Sequence, residues 1–490
     1  MTRADLMALL PLLTLSMFCI LTMLAIAVRR HHPTIAVLAA AGCLVTIATL
    51  PFSRSSQSHP VTDLLVFDSA ALFYMGLLLS ATTVIIGLSF RYLAVQVRQG
   101  EQSEEFYLLL LLATLGALVL TAAAHLVTLF LGLELIGVSL YGLIGYLRSR
   151  RTSLEAALKY VILSGSASAF LLFGMALLYF ETGAMVFTDI GAHLLPATEV
   201  SALWLTGFLL VLVGVGFKLG LVPFHWWIPD VYQGAPAPVT AFVATVSKGA
   251  VFALLLRFIG DLNGLQVGAV VQLFAVLAAL TMFIGNFLAL LQNNVKRLLA
   301  YSSITHFGYV LVAFLAGGPL GAEAVTFYLV AYFIMTLGAF GVVSVLSEAG
   351  RDADQMDDYR GLLWMHPWLA GVFILMLLSL AGIPITIGFM GKFYAVAAGL
   401  GAGLWLLVLL LVINSAIAVY YYLRLVLTMV EQPLLPTDDV RVEPIGGRWI
   451  AVVSLGFVTA MLLSLGVYPG PLMAVIRDVF DPLLRPMAAS

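Results

Sequence analysis

The sequence predicts an all-α polytopic membrane protein of about fourteen transmembrane helices, and three observations predict it. Of 490 residues, 62% are hydrophobic and only 10% charged, with a mean hydropathy of +1.08, a balance foreign to soluble domains. The apolar stretches run about 20 residues without interruption, enough for a helix to cross a ~30 Å hydrocarbon layer and unlike the alternation of barrel strands. Glycine and proline interrupt two of the stretches beside a lysine, at 214–223 and 382–392, which predicts discontinuous helices 7 and 12, since broken backbone at membrane depth is tolerated only against protein or a cavity.

Taken in order, the span cores fall at 5–28, 33–52, 68–92, 105–124, 126–147, 154–180, 202–224, 239–260, 268–292, 297–317, 322–347, 366–395, 402–427 and 449–472. The longest polar connections are 182–200, 349–362 and 430–448. One membrane domain, 1–490, is expected: three N-terminal spans (1–100), a first repeat (105–260), a second repeat (266–428), and a last span with the C-terminus (449–490). The first run is read as a span, because no small-residue cleavage site follows it.

The net charge of −2 argues against nucleic acid as a partner. The two cysteines, Cys19 and Cys43, lie in apolar runs and form no CxxC, so no metal or iron–sulfur site is expected on this chain. Gly391-Lys392-Phe393 lacks the first glycine and the hydroxyl of a phosphate-binding loop. No glycine-rich dinucleotide fingerprint follows a strand. The chain is expected to bind no nucleotide and carry no electron.

Basic residues set an expected orientation. Odd-numbered loops hold Arg29, Arg30, Arg91, Arg98, Arg148, Arg150, Arg151, Lys296, Arg297, Arg351, Arg360, Arg441 and Arg448; even-numbered loops and the ends hold Arg3, Arg54, Arg257, Arg477 and Arg485. By the positive-inside rule the odd loops are cytoplasmic, and an even number of spans then puts both termini outside, in the periplasm of a bacterial inner membrane.

Five lysines occur: Lys159, Lys218, Lys248, Lys296 and Lys392. Lys296 reads as opening a helix at the cytoplasmic face; the other four lie in spans. Elsewhere the chain uses arginine, which never gives up its proton, whereas a desolvated lysine can. Lysines placed in hydrocarbon, at roughly 2.5–3.5 kcal/mol each, therefore point to a proton path. Glu134 lies nine residues beyond His125, about 13 Å along its helix and so near mid-membrane. Its partner must come from another helix, with Lys218 or Lys159 as candidates; the alternative is a static buried ion pair.

Lys218 follows Gly214 and Gly216, and Pro223 removes a helix hydrogen bond just beyond it. Lys248, nine residues past Val239, is again ~13 Å deep. Lys392 follows Gly382, Pro384 and Gly388. The two breaks, five spans apart and in opposite orientation, point to an inverted repeat of spans 4–8 and 9–13. Lys159 is i+4 from Glu155, which fits either a surface ion pair or a relay. His306, near Ser302, Ser303 and Tyr309, is either a relay or a hydrogen-bonded core histidine. His225 and Asp230 flank the broken helix as a possible inlet. Tyr420, Tyr421 and Tyr422 read as an interfacial belt.

LVPFHWWIPDVYQGAPAPVTAFVATVSK, NNVKRLLAYSSITHFGY and MLLSLAGIPITIGFMGKFY closely resemble the subunit N family of bacterial NADH:quinone oxidoreductase, respiratory complex I. ELIGVSLYGLIGY and SLEAALKYVILSGSASAFLLFGMALLY fit the same family, and the match runs from about Glu105 to Tyr422. YQGAPAP followed by ATVSK is its sharpest part; sister subunits L and M and the multisubunit cation/proton antiporters read more like GPTPVSALIHAATMV there. The short sequence after the last span also leaves no room for the lateral helix of subunit L. The resemblance implies a proton-translocating subunit of the membrane arm, partnered by neighbouring antiporter-like and small membrane subunits. FMN, iron–sulfur clusters and quinone would then reside on other subunits. It implies that Glu134 and Lys218 form a charged pair, that Lys248 is the central relay, that Lys392 controls the outer exit, and that Lys159 and His306 occupy positions the family uses. A cation/proton antiporter subunit is the alternative.

Overall fold

In hydrocarbon each backbone N–H must find its carbonyl within the chain, and the computed structural model meets this with helices almost throughout. It describes residues 2–53, 59–96, 102–193, 200–432 and 448–480. Arg54, Arg98, Arg441 and Arg485 of the charge tally lie outside the described residues. Thirteen described helices are long and apolar enough to cross a membrane, and two shorter apolar helices form the halves of a further span.

Spans 1–6 are Leu10–Val28, His32–Ser53, Ser69–Gln96, Glu104–Ala122, Leu126–Ile144 and Arg151–Thr182. Span 7 is Ala202–Leu219, continued after a break by Trp227–Gly234. Span 8 is Ala237–Asp261, with a π-helical turn at Val243–Ser247. Spans 9–11 are Gly268–Leu290, Val295–Leu315 and Gly318–Leu346. Span 12 is Pro367–Ala381 followed by Ile387–Gly401, and spans 13 and 14 are Trp405–Val430 and Arg448–Val467. A short helix, Gly470–Phe480, follows, and one antiparallel hairpin pairs His59–Val61 with Leu65–Phe67. Ser201 and Asn294 cap spans 7 and 10 through the amides of Trp204 and Arg297, the usual use of short polar side chains at a helix start.

Span 10 is the axis: all of its most apolar window is buried, against 33% in spans 1 and 2. Small residues let the helices close on one another. A Cβ on Gly174 would stand 2.6 Å from the Gly207 carbonyl between spans 6 and 7, and one on Gly116 3.0 Å from the Gly132 carbonyl between spans 4 and 5.

Both broken spans end the same way. Span 7 stops at Gly220, φ +72°, with the Leu221 amide on the Gly216 carbonyl and the Gly220 amide on that of Phe217. Span 12 stops at Gly382, φ +87°, with Ile383 bonding Leu378 and Gly382 bonding Ser379. This is the Schellman close that glycine permits. The helices thus end before the prolines: Pro223 and Pro384 lie in the linkers rather than making the breaks.

A clamp ties the odd-loop face. Asp352 accepts from Tyr92 Oη (2.6 Å), Arg150 (2.8 Å) and Lys296 Nζ (2.7 Å). Lys296 also donates to the Ala235 carbonyl at 2.6 Å, in the turn between spans 7 and 8. Lys296 opens span 10 at the odd-loop face as expected, and it is fully buried there, because Asp352 folds over it from the connection after span 11.

Candidate proton path

At the head of the expected path, Glu134 and Lys218 each bond hydroxyls of span 6. Ser168 Oγ donates to Glu134 Oε1 at 2.5 Å, and Lys218 Nζ donates to Ser164 Oγ at 3.0 Å and Tyr160 Oη at 3.2 Å. Ser164 and Ser168 are one turn apart on span 6 and share a face; the amine also lies against span 5 one turn beyond Glu134, where a Cβ on Gly137 would stand 3.1 Å from it. Tyr141, two turns on from Glu134, also donates to Ser164, at 3.2 Å. Every ion pair among the described residues lies off this line. Glu134 and Lys218 thus make no direct ion pair and bond different serines of span 6, and Lys159 is not Glu134's partner. Lys159 instead meets Glu155 at 2.7 Å and Asp230 at 2.8 Å, and Asp230 also holds Arg297 at 2.7 Å. Of the proposed inlet pair, Asp230 belongs to this network, while His225 is buried and stacks on Trp226.

Span 7 ends two residues after Lys218, and the break brings the next amine near: a Cβ on Gly220 would stand 3.5 Å from Lys248 Nζ. Lys248 follows the π-helical turn of span 8, a local unwinding frequent at functional sites. Its amine donates to Ser303 Oγ at 2.8 Å and lies 4.8 Å from the Phe307 ring and 5.8 Å from that of Tyr232, within cation–π reach. Tyr332 Oη donates to the same Ser303 at 2.8 Å.

Ser303 is one turn before His306 on span 10. His306 Nδ1 meets Tyr328 Oη at 2.9 Å and Nε2 meets Tyr422 Oη at 3.4 Å; Tyr422 also bonds Ser302. The histidine is therefore both hydrogen-bonded in the core and joined to a file of phenols. The belt expected at 420–422 is corrected: Tyr421 and Tyr422 are buried and only Tyr420 is exposed, because consecutive helical residues point about 100° apart.

The Tyr309 ring lies 5.6 Å from His306 and 5.3 Å from Lys392 Nζ. Lys392 donates to the carbonyls of Leu380 (3.0 Å) and Ala381 (2.8 Å) and to Ser415 Oγ (2.8 Å). It thus caps the first half of span 12, where helix-end carbonyls favour a cation. A Cβ on Gly382 would stand 2.9 Å from that amine, so the break glycine is required for the approach as well as for the turn.

The amines were legible as out-of-place charges; the hydroxyls joining them were not. Ser164 and Ser168 carried a usable signal, two hydroxyls at helical spacing in an apolar span. Ser303 stood out only by its closeness to His306; Tyr332, Tyr328 and Ser415 carried no signal, since single hydroxyls are common in apolar helices. Among the described residues no cluster of three His, Cys, Asp or Glu side chains could hold a metal ion.

Residues 123–418 match the family model described as NADH:quinone oxidoreductase/Mrp antiporter, TM. The chain is 48% identical over 485 residues to the NADH-quinone oxidoreductase subunit N of Ectopseudomonas mendocina (strain ymp), covering 97% of each. A chain of respiratory complex I from Thermus thermophilus with bound aureothin superposes with a TM-score of 0.79 at 34% identity, covering 95% of this chain and 98% of that one. A chain of the Mrp complex from Dietzia sp. DQ12-45-1b superposes with a TM-score of 0.85 at 20% identity, covering 99% of this chain and 98% of that one; that likeness is one of fold.

Proposed function

Because the chain belongs to the NADH-quinone oxidoreductase subunit N family, we propose that the line from Glu134 through Lys218, Lys248 and His306 to Lys392 carries its protons. The chain is a proton-translocating membrane subunit of that enzyme, which couples electron transfer from NADH to quinone to proton pumping; other subunits of complex I are its partners. FMN, iron–sulfur clusters and quinone are placed on those partners. The odd loops are placed in the cytoplasm and both termini in the periplasm of a bacterial inner membrane.

The observation that supports the path is that three amines lie buried among hydroxyls, carbonyls and rings, none of them in a direct salt bridge. An ammonium so placed is costly unless it is satisfied locally, and the serines, tyrosines and helix-end carbonyls supply acceptors one site at a time. Glu134 biases Lys218 by charge without a direct ion pair, so small shifts of spans 5 and 6 alter the pairing without first breaking a tight salt bridge. The breaks at Gly220 and Gly382 belong to two inverted five-span repeats, spans 4–8 and 9–13, and act with Pro223 and Pro384 as the gating segments. Asp230 with Lys159 forms the inlet network on the odd-loop face, and His225 lies behind it. Each charge moved against the membrane potential costs about 2.3 kcal/mol per 100 mV, so the path must be driven by the redox partners.

The test is Lys218→Ala in the assembled enzyme in inverted vesicles. The protons taken up per NADH oxidised are expected to fall while the subunit stays assembled. An unchanged ratio overturns the assignment.

A further inference from the structure

Charged groups also gather at the even-loop ends of spans 3 and 8. A cavity of about 550 Å³ opens on the even-loop face, lined by Asp68, Arg257 and Asp261. Arg257 donates to Asp68 at 2.8 Å and to the Thr121 carbonyl at 3.4 Å, and Asp68 in turn caps span 3 through the Ala71 amide. Asp261 lies one turn beyond Arg257 on span 8, so the two share a face. The inner wall of this cavity includes Ala253 and Phe314. Ala253 is five residues from Lys248 on the same span, a rise of about 7.5 Å.

The space between amine and cavity is filled by rings. Phe307 lies against Lys248; Phe252 is 6.0 Å from Phe307 and 6.0 Å from Phe314; and Phe274 backs Phe314 at 5.1 Å. All four are at most 3% exposed. A charged, roomy cavity thus approaches the central amine to within a septum of phenylalanine.

We propose that this cavity is a second outlet from Lys248, held shut by Phe252, Phe307 and Phe314. A hydrophobic constriction stops ions by excluding water, and a bare charge in an apolar layer is prohibitively unstable. The septum denies Lys248 the short way out. Its proton can leave only toward Ser303, His306 and Lys392, so the length of the path is enforced by the rings on its other side. This rests on the reading that Lys248 carries protons.

The assembled enzyme in vesicles tests the proposal through the collapse of an imposed pH gradient without NADH. Phe252→Ser is expected to speed the collapse several-fold while NADH oxidation is retained, and Phe252→Leu, which keeps the layer dry, to match wild type. Phe314→Ser gives the same measurement from the cavity side should Phe252→Ser fail to assemble. A253C combined with F252S provides a thiol on the cavity wall; a membrane-impermeant thiol reagent on the even-loop side is expected to return the leak to the wild-type rate. Serine variants that oxidise NADH and hold the gradient like wild type overturn the proposal, as does a leak the reagent does not slow. F252S combined with Lys248→Met separates the two readings: loss of the leak supports Lys248 as the donor. A leak that persists and is still blocked by the reagent overturns Lys248 as donor and leaves the outlet standing.

Discussion

Replacing Asp352 with asparagine removes one charge and few atoms, and the structure says how much follows. The carboxylate takes three hydrogen bonds, from Tyr92, Arg150 and Lys296, and its side chain is 5% exposed while that of Lys296 is fully buried. Arg150 keeps Gln96 as a partner, but Lys296 is left with the Ala235 carbonyl and a neutral amide. Removing one member of a buried ion pair costs roughly 3–5 kcal/mol, or two to three and a half decades in the folding equilibrium at about 1.4 kcal/mol per decade. The assay is the temperature at which detergent-solubilised enzyme loses this subunit on a native gel. Asp352→Asn should lower it clearly, and adding Lys296→Met should recover part of the loss, because the unpaired charge goes too. Burial pushes the Asp352 carboxyl up, but Lys296 and Arg150 outweigh it and hold it below its usual value. Its contribution is therefore fully present above the unfolded value of about 3.9 and is lost only as pH falls through the lowered one. The difference between variant and wild type should persist unchanged across about pH 5 to 8. A variant as heat-resistant as wild type, or a difference that fades toward pH 5, refutes the clamp.

Two further outcomes are expected. Gly382→Ala forces a side chain into a left-handed conformation at about 1–2 kcal/mol and into the Lys392 amine; protons per NADH should fall while assembly persists, with Gly371→Ala, which meets nothing within 4 Å, as a silent control. Asp230→Asn removes partners from Lys159, whose side chain is 43% exposed, and from Arg297; the loss of heat resistance should stay under about 1 kcal/mol and shrink at high salt. A loss as large as that of Asp352→Asn counts against the exposed network.

The fold was legible because the bilayer allows so little else. Runs of apolar residues long enough to cross it must be helices, and glycine with proline beside an intramembrane lysine marked the breaks of spans 7 and 12. The central amines stood out for the same reason: a lysine in hydrocarbon needs explaining. The linkage was not legible. Nothing in the chain distinguishes Asp352 from the other acids around it, so the burial of Lys296 depends on a connection 56 residues away. Hydroxyl partners follow from helix rotation and packing, which decide whether Tyr420 or Tyr422 faces the core. The π-helical turn ahead of Lys248 likewise leaves no composition signal in VATVS.

The two breaks share a backbone design and differ in what it leaves free. At the first, the Gly216 and Phe217 carbonyls are taken by the Leu221 and Gly220 amides, and Trp227 Nε1 adds a bond to Phe217 at 2.8 Å. Lys248, beside this break, is left with the Ser303 hydroxyl and two aromatic faces. At the second, the Leu380 and Ala381 carbonyls are taken by Lys392 itself, and Ser415 supplies a third acceptor. An ammonium has three N–H donors; Lys392 meets all three and Lys248 meets one. On the proposed path, a proton moving from Lys248 to Lys392 would gain two acceptors, so the same Gly-terminated helix end leaves one amine under-satisfied and fully satisfies the other.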